Sequence, residues 1–171
     1  RRWRAISGPF ERLPTTRRRR SLGDIMSVLH GTCIAFGTTG ILLRGPSGAG
    51  KSDLALRLIG RSDLGVRLVA DDQISLTRRG DELWAGPPAQ IAGMMEVRGV
   101  GLLQMNYTAE AWLRLVLDLS APGDVPRLPQ AAHCTIDGVP LPLYLIAPFE
   151  ASAPDKIALL VRSLDEDILR S

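Results

Sequence analysis

The chain has 171 residues, of which 45% are hydrophobic and 23% charged, so it is long enough for one globular domain with a full core and short for two. The aromatic fraction of 5% gives no indication of extended base-stacking surfaces. The net charge of +3 is the sum of +7 in residues 1–20, which hold eight arginines and one acid, Glu11, and −4 in the remainder, which has 13 basic and 17 acidic side chains. We therefore expect no nucleic-acid partner.

The N-terminal segment predicts a solvated, disordered basic tail over residues 1–25, followed by a folded domain over residues 26–171. Met26, the first methionine, directly precedes the first strand-like stretch. No apolar run reaches the length of a membrane span and nothing resembles a signal peptide, so we expect a cytoplasmic protein with no membrane partner. Cys33 and Cys134 lack metal-ligand or disulfide-framework spacing and are expected to be reduced thiols.

The first folded elements lead toward a glycine-rich loop. Ser27 to Phe36 predicts a strand, residues 37–40 a tight turn, and Ile41 to Leu43 a second strand. After Lys51 the apolar residues recur at helical spacing, and Gly60 offers a stop. The glycine-rich loop is thus expected between a strand and a helix.

Strand patterns dominate the remainder of the chain. The sequence predicts a buried strand from Val66 to Ala70, a hairpin from Gln73 to Thr77 and Glu82 to Ala85, a strand from Leu113 to Leu119, a surface connection from Ala121 to Gln130, and an amphipathic helix from Pro154. Strands mixed with helices in one domain predict the α/β class.

Gly45-Pro46-Ser47-Gly48-Ala49-Gly50-Lys51-Ser52 fits the phosphate-binding pattern G-x-x-x-x-G-K-[ST] between a predicted strand and a predicted helix. Glycines let backbone N–H groups surround phosphate oxygens, and the helix N-terminus adds partial positive charge. Lys51 would reach the outer phosphates and Ser52 would ligate magnesium. Lys51 is one of two lysines in an arginine-rich sequence, which argues against a chance glycine turn.

Asp71 and Asp72 follow the buried strand directly. Phosphoryl transfer needs a carboxylate near the loop to hold magnesium, and commonly a second group to take the proton from the attacking hydroxyl. Adjacent residues of a strand point to opposite sides, so the two acids can divide these tasks. His30, Glu96 and Arg98 taken alone are ordinary structural or surface residues, although alternation would place Glu96 and Arg98 on one strand face.

Four segments together resemble one known family: His30-Gly31, then GPSGAGKSDLALRLI, then RLVADD, then MEVRGVGLL. Their order resembles the HPr kinase/phosphorylase family, over roughly Ser27 to Leu103. The family's catalytic domain is a P-loop fold related to phosphoenolpyruvate carboxykinase, and it phosphorylates a regulatory serine on HPr, a small sugar-phosphotransferase carrier protein. The resemblance implies a mixed sheet with flanking helices, ATP and Mg²⁺ as cofactors, HPr as substrate, and a homo-oligomer, hexameric as in its relatives.

The resemblance also implies residue roles. Nucleotide and phosphate would be bound by Gly45, Pro46, Ser47, Gly48, Ala49, Gly50, Lys51, Ser52 and Arg98. Metal contacts would come from Ser52, Asp71 and Glu96, and the catalytic set would be Asp72, Asp71, His30 and Lys51. Asp72 would deprotonate the acceptor serine, with His30 beside it tuning its protonation, and would act as the acid when inorganic phosphate attacks phosphoserine to give pyrophosphate.

The sequence departs from longer family members in ways typical of a short, alphaproteobacterial type with the catalytic domain alone. We expect the N-terminal regulatory domain of the longer members to be missing. Gln104 to Thr108 replaces a glycine-rich loop, and Pro148 to Ala151 stands where a Pro-Gly-Arg-Asn stretch is expected. Because an arginine is missing there, we expect kinase activity with weak or absent phosphorylase activity.

Two alternatives remain. A small-molecule kinase on the same scaffold would usually need an arginine-rich lid and an acceptor pocket, and we see no such lid between Asp72 and Leu119. The second alternative belongs to another class, a nucleotide-sensing module that binds ATP or GDP without turning it over. Transfer of phosphate to HPr would distinguish the proposed kinase from this sensor.

Overall fold

The structure, a computed structural model, describes residues 25–168. The strands are β1 (Ile25–His30), β2 (Thr32–Phe36), β3 (Thr39–Arg44), β4 (Val66–Ala70), β5 (Gln73–Arg79), β6 (Glu82–Gly86), β7 (Met94–Val97), β8 (Gly101–Gln104), β9 (Ala111–Leu119), β10 (Ala132–Ile136) and β11 (Val139–Ile146). The α-helices are α1 (Lys51–Ile59) and α2 (Ala153–Ile168), and short 3-10 turns span Ala89–Ile91 and Pro122–Asp124.

Nine of these strands form one mixed sheet in the order β1-β5-β6-β9-β3-β2-β4, with β10 and β11 branching from β9. The central strand, β9, runs parallel to β3 on one side. On its other side it pairs with antiparallel β6 near its start and with parallel β11 near its end. β7 and β8 form a separate antiparallel hairpin. The predicted α/β class with a mixed sheet and flanking helices is confirmed.

Two apolar cores lie on opposite faces of the sheet. On one face α1 and α2 contribute Leu54, Leu58 and Ile157 to a cluster completed by strand residues such as Leu43. On the other face the outer strands supply the cover themselves, and Leu76 is among the residues buried there. Truncating a fully buried leucine of this kind to alanine typically costs about 2 to 5 kcal/mol. Both cores therefore stabilise the strands from whose ends the residues of the candidate site, described below, extend.

The predicted single strand from Ser27 to Phe36 is wrong, because the chain changes neighbours in its middle. β1 pairs with β5, whereas β2 pairs with β3 and β4. Gly31 lies at the break, where an added Cβ would come within 3.0 Å of the Leu43 carbonyl oxygen. A side chain at this position would force the neighbouring strand away.

The other predicted elements lie close to their expected positions. The β5–β6 hairpin, the helix after the glycine-rich loop and the C-terminal helix are all present. β1 begins at Ile25, one residue before the predicted start of the domain, and the rest of the predicted basic tail lies outside the described residues. Within residues 25–168 there is no helix with the length and apolar character needed to cross a membrane.

Both cysteines are free thiols in different surroundings. Cys33 is completely buried in β2, and burial raises its thiol pKa to about 12. Cys134 is half-buried in β10, and its pKa is also raised, chiefly by burial. Raised pKa values suppress the reactive thiolate, so neither thiol has the character of an activated nucleophile.

Candidate functional site

The glycine-rich loop connects β3 to α1, in the strand–loop–helix arrangement that the sequence predicts. Gly48 and Gly50 adopt φ values of 80° and 91°, a region that side chains with a Cβ rarely enter. The helix begins at Lys51, whose ammonium donates hydrogen bonds to the carbonyl oxygens of Gly45 at 2.8 Å and Pro46 at 2.9 Å. The lysine charge therefore lies against the loop.

Asp71, at the end of β4, turns inward toward the loop. Its carboxylate accepts hydrogen bonds from Ser52 Oγ at 3.0 and 3.2 Å, and its Oδ1 accepts one from Thr32 Oγ1 at 2.7 Å. Asp71 is 9% exposed and Thr32 is completely buried. Hydroxyls from α1 and β2 thus fix the orientation of this carboxylate.

Asp72, the next residue, has a different backbone conformation and different partners. Its φ of 68° is left-handed, which is uncommon for a residue other than glycine and often marks a functional position. Its carbonyl oxygen accepts a hydrogen bond of 3.1 Å from the Gly31 amide, and its Oδ1 lies 3.1 Å from His30 Nδ1. The side chains of His30 and Asp72 are 60% and 70% exposed. The two adjacent acids therefore have different partners and different exposure.

A single cavity of about 700 Å³ joins these groups. Of the residues predicted from the sequence, its lining contains His30, Ser47, Gly48, Gly50, Lys51, Ser52, Asp71, Asp72, Glu96 and Arg98. Gly45, Pro46 and Ala49 are in the loop but do not line the cavity; Gly45 and Pro46 contribute the carbonyl groups that bind Lys51. The fold thus brings these predicted residues from four parts of the chain to one place.

Glu96 and Arg98 reach the cavity from the β7–β8 hairpin. Met95 of β7 is completely buried in the helix-side core, whereas Glu96 is exposed. The strand ends at Val97, so Arg98 lies in the turn and does not share a strand face with Glu96 as alternation predicted. Both side chains nevertheless line the cavity.

The donors around Asp71 fit a magnesium ion held jointly by protein and phosphate. Mg²⁺ prefers oxygen ligands, keeps several waters, and commonly takes one or two carboxylates together with phosphate oxygens. Ser52 Oγ and the Asp71 carboxylate supply two such groups in contact with each other. Within residues 25–168 no group of three or more His, Cys, Asp and Glu side chains is placed to hold a metal ion.

Sequence reasoning did not identify two residues of this site. Thr32 fixes Asp71 but sits within an apolar strand, where a threonine is unremarkable in the sequence. Phe149 lines the cavity and lies beside Gly50, and it comes from a segment about a hundred residues away. A phenylalanine next to Pro148, in a sequence with few aromatics, was the available signal for Phe149.

Comparison with known proteins gives consistent matches. Residues 24–111 match the family described as HPr Serine kinase C-terminal domain. The chain is 34% identical over 147 residues to the HPr kinase/phosphorylase of Burkholderia lata, covering 80% of this chain and 44% of the relative. It is 40% identical over 81 residues to that of an Exiguobacterium species, covering 47% of this chain and 25% of the relative. The chain thus spans less than half the length of these curated relatives.

The fold matches a solved structure as well. The HPr(Ser) kinase/phosphatase from Coxiella burnetii superimposes with a TM-score of 0.72 at 26% sequence identity. The match covers 83% of this chain and 92% of the solved chain. The similarity therefore extends well beyond the glycine-rich loop.

Proposed function

Because the chain belongs to the HPr serine kinase C-terminal domain family, we propose that it transfers the γ-phosphate of ATP to a serine hydroxyl of an HPr-like phosphocarrier protein. One observation carries this proposal. A phosphate-binding loop and an exposed carboxylate, that of Asp72, open into the same cavity, while the adjacent Asp71 contacts Ser52 of the loop. That arrangement supplies a place for the triphosphate and a base for the acceptor.

The triphosphate is bound by the loop and the start of α1. Backbone N–H groups at the N-terminus of a helix favour anions, and the positive-φ glycines allow the backbone to approach phosphate oxygens closely. Lys51 moves from the Gly45 and Pro46 carbonyls to phosphate oxygens, exchanging neutral acceptors for charged ones. Charge-assisted hydrogen bonds are roughly twice as strong as neutral ones, which favours this exchange.

Ser52 and Asp71 would hold Mg²⁺, with Glu96 as a further contact from the β7–β8 hairpin. When bound, the ion neutralises negative charge on the phosphates as the transferring group moves. The hydrogen bond from Thr32 keeps Asp71 directed at Ser52. Arg98, which lines the same cavity, adds positive charge near the phosphates.

Asp72 acts as the general base. Its carboxylate accepts the proton of the acceptor serine hydroxyl, whose oxygen forms a new bond to the γ-phosphorus as the bond to the β,γ-bridging oxygen breaks. ADP leaves, and the proton passes from Asp72 to solvent through its exposed face. His30 Nδ1, 3.1 Å from Oδ1, orients the carboxylate. In the reverse reaction the protonated Asp72 returns the proton to the serine oxygen as inorganic phosphate takes the phosphoryl group.

Homo-oligomer formation, including a hexamer, remains a prediction from the resemblance, and action in the cytoplasm remains a prediction from the sequence. The acceptor is the part of the proposal most open to direct test. Purified protein is incubated with Mg²⁺, γ-labelled ATP and HPr, and the labelled position is mapped by mass spectrometry. HPr with its regulatory serine changed to alanine is the matched control.

We expect label on that serine in wild-type HPr and none in the control. ATP binding without transfer to HPr would contradict the proposal and indicate a nucleotide sensor. ATP hydrolysis or transfer to small molecules, with HPr unlabelled, would indicate the small-molecule kinase instead.

A further inference from the structure

Phe149 lies in the wall of the cavity. The proposed phosphate chemistry gives this aromatic residue no role. Its side chain is 70% exposed although it is large and apolar. Leaving a phenyl ring in water forgoes the stabilisation that burial of such a side chain provides. An exposed ring at a binding site therefore suggests a contact made by the ligand.

The main chain around Phe149 is held firmly by Arg57 of α1. One guanidinium nitrogen donates to the Pro148 carbonyl oxygen, and another donates to the Glu150 carbonyl oxygen at 3.4 Å. The remaining Nε donates to Asp53 Oδ2 at 3.1 Å, which ties the arginine back to its own helix. The residues on both sides of Phe149 are thus anchored to α1 while the ring stays exposed.

The ring lies directly beside the phosphate-binding loop. A Cβ added at Gly50 would be only 2.8 Å from Cζ of Phe149, so the absence of a side chain at position 50 admits the ring. Asp53, Leu56 and Met94 line the same cavity and extend it past the loop with a mixture of one carboxylate and apolar surface. A ligand whose phosphates occupy the loop can therefore extend from it onto Phe149.

We propose that Phe149 is the nucleobase-stacking residue of this site, with Arg57 as its positioning residue. The inference rests on the proposed function only in that the loop binds a nucleoside triphosphate. A purine ring offers a flat π-face, and stacking on an aromatic side chain contributes substantially to affinity without reading the identity of the base. The site thus binds ATP through two separable parts, phosphate at the loop and base at Phe149.

Inorganic tripolyphosphate separates the two parts, because it carries the phosphate chain without the base. Dissociation constants for ATP and tripolyphosphate, each with Mg²⁺, are measured by calorimetry for wild type, Phe149→Ala and Phe149→Tyr. We expect Phe149→Ala to weaken ATP about tenfold, the order of one base–aromatic stack, and to leave tripolyphosphate unchanged. Phe149→Tyr keeps the ring and should bind both ligands as wild type does.

Arg57→Ala provides a second test, because it removes the side chain that holds the main chain on both sides of Phe149. It should reproduce the selective loss of ATP affinity, because the ring is no longer held beside the loop. Equal losses for ATP and tripolyphosphate in Phe149→Ala, or no loss for either, would overturn the stacking role while leaving the loop assignment intact. A wild-type protein that binds neither ligand would overturn the loop assignment and the base site together.

Discussion

Oδ1 of Asp71 accepts a hydrogen bond of 2.7 Å from the hydroxyl of Thr32, deep in the sheet. Thr32 opens β2 and is completely buried, so its side chain has a fixed position in the core. The orientation of the proposed magnesium carboxylate is therefore set by the fold itself. Outer partners of this kind orient metal ligands and affect metal affinity without touching the ion.

Thr32→Val tests this relationship. The substitution removes the hydroxyl while keeping a branched side chain, so Asp71 loses a buried donor. A hydrogen bond to a charged group contributes about 1.5 to 3 kcal/mol, and we expect the free energy of unfolding in urea to fall by that order. The Mg²⁺ concentration for half-maximal ATP binding should rise about tenfold.

Thr32→Ser is the matched control, since it retains the donor and should keep near-normal Mg²⁺ dependence. If Thr32→Val lowered stability but left the Mg²⁺ dependence unchanged, the threonine would be a structural residue alone.

Lys51→Ala should abolish tight triphosphate binding and leave the fold intact. The variant lacks the ammonium and therefore its contacts with phosphate. A charged hydrogen bond is worth about 1.5 to 3 kcal/mol, so binding should weaken by about tenfold or more. Calorimetric titration with MgATP measures the change. The only other lysine, Lys156, is exposed in α2, and the control variant Lys156→Ala should bind MgATP as wild type does. Unchanged ATP affinity in Lys51→Ala would contradict the loop assignment.

Local sequence patterns were enough to locate the phosphate loop and the two acids. Gly45 to Ser52 fits its motif by itself, and Asp71 and Asp72 mark the end of a short apolar strand. Both acids lie beyond the end of β4, so strand alternation does not set their orientations, and the left-handed φ of Asp72 had no signature in the sequence. Features carried by consecutive residues were therefore predictable.

Features that depend on distant residues were not predictable. The strand break at Gly31 arises because β1 and β2 take different neighbours, and Phe149 lies beside Gly50 although about a hundred residues of chain separate them. The alternating leucines of β9 indicated a strand, but a register shift against β3 puts Leu113 and Leu115 into different cores. These outcomes are decided by packing between elements that single-sequence periodicity does not record.

The reverse reaction should be weak relative to the forward one. Phosphorolysis brings a phosphate anion to a phosphoserine anion, so it needs positive charge beyond that required for a neutral serine hydroxyl. Glu150 stands where the family resemblance expects an arginine. It also pairs with Lys156, and its negative charge offsets the positive charge of that lysine. Pyrophosphate release from phosphoserine-HPr and phosphate, compared with the forward rate, measures the balance.

Glu150→Arg restores the expected cation and should raise the reverse rate relative to the forward rate. Glu150→Gln, which removes the negative charge without adding a positive one, should have a smaller effect. Comparable forward and reverse rates in the wild-type protein would contradict this interpretation of the Pro148 to Ala151 segment.

The two thiols should differ in reactivity. Burial raises the pKa of Cys33 to about 12, so at about pH 8 its thiol stays protonated as well as inaccessible. Cys134 is half-buried with a raised pKa, so its reaction rate should rise at higher pH than that of a free thiol. Ellman's reagent should detect one thiol in the native protein and both after unfolding; rapid native labelling of Cys33 would contradict the burial.

The central proposal is that Asp71 holds magnesium while Asp72 acts as the general base. Asp72→Asn tests it most directly. Its transfer rate to HPr is measured at saturating MgATP alongside its ATP affinity, with Asp71→Asn in parallel. We predict that Asp72→Asn binds MgATP with wild-type affinity. It should transfer phosphate about 10² to 10⁴-fold more slowly, which is the usual contribution of a general base. Asp71→Asn should instead require more Mg²⁺. Wild-type transfer rates in Asp72→Asn would contradict the assignment of Asp72 as the base.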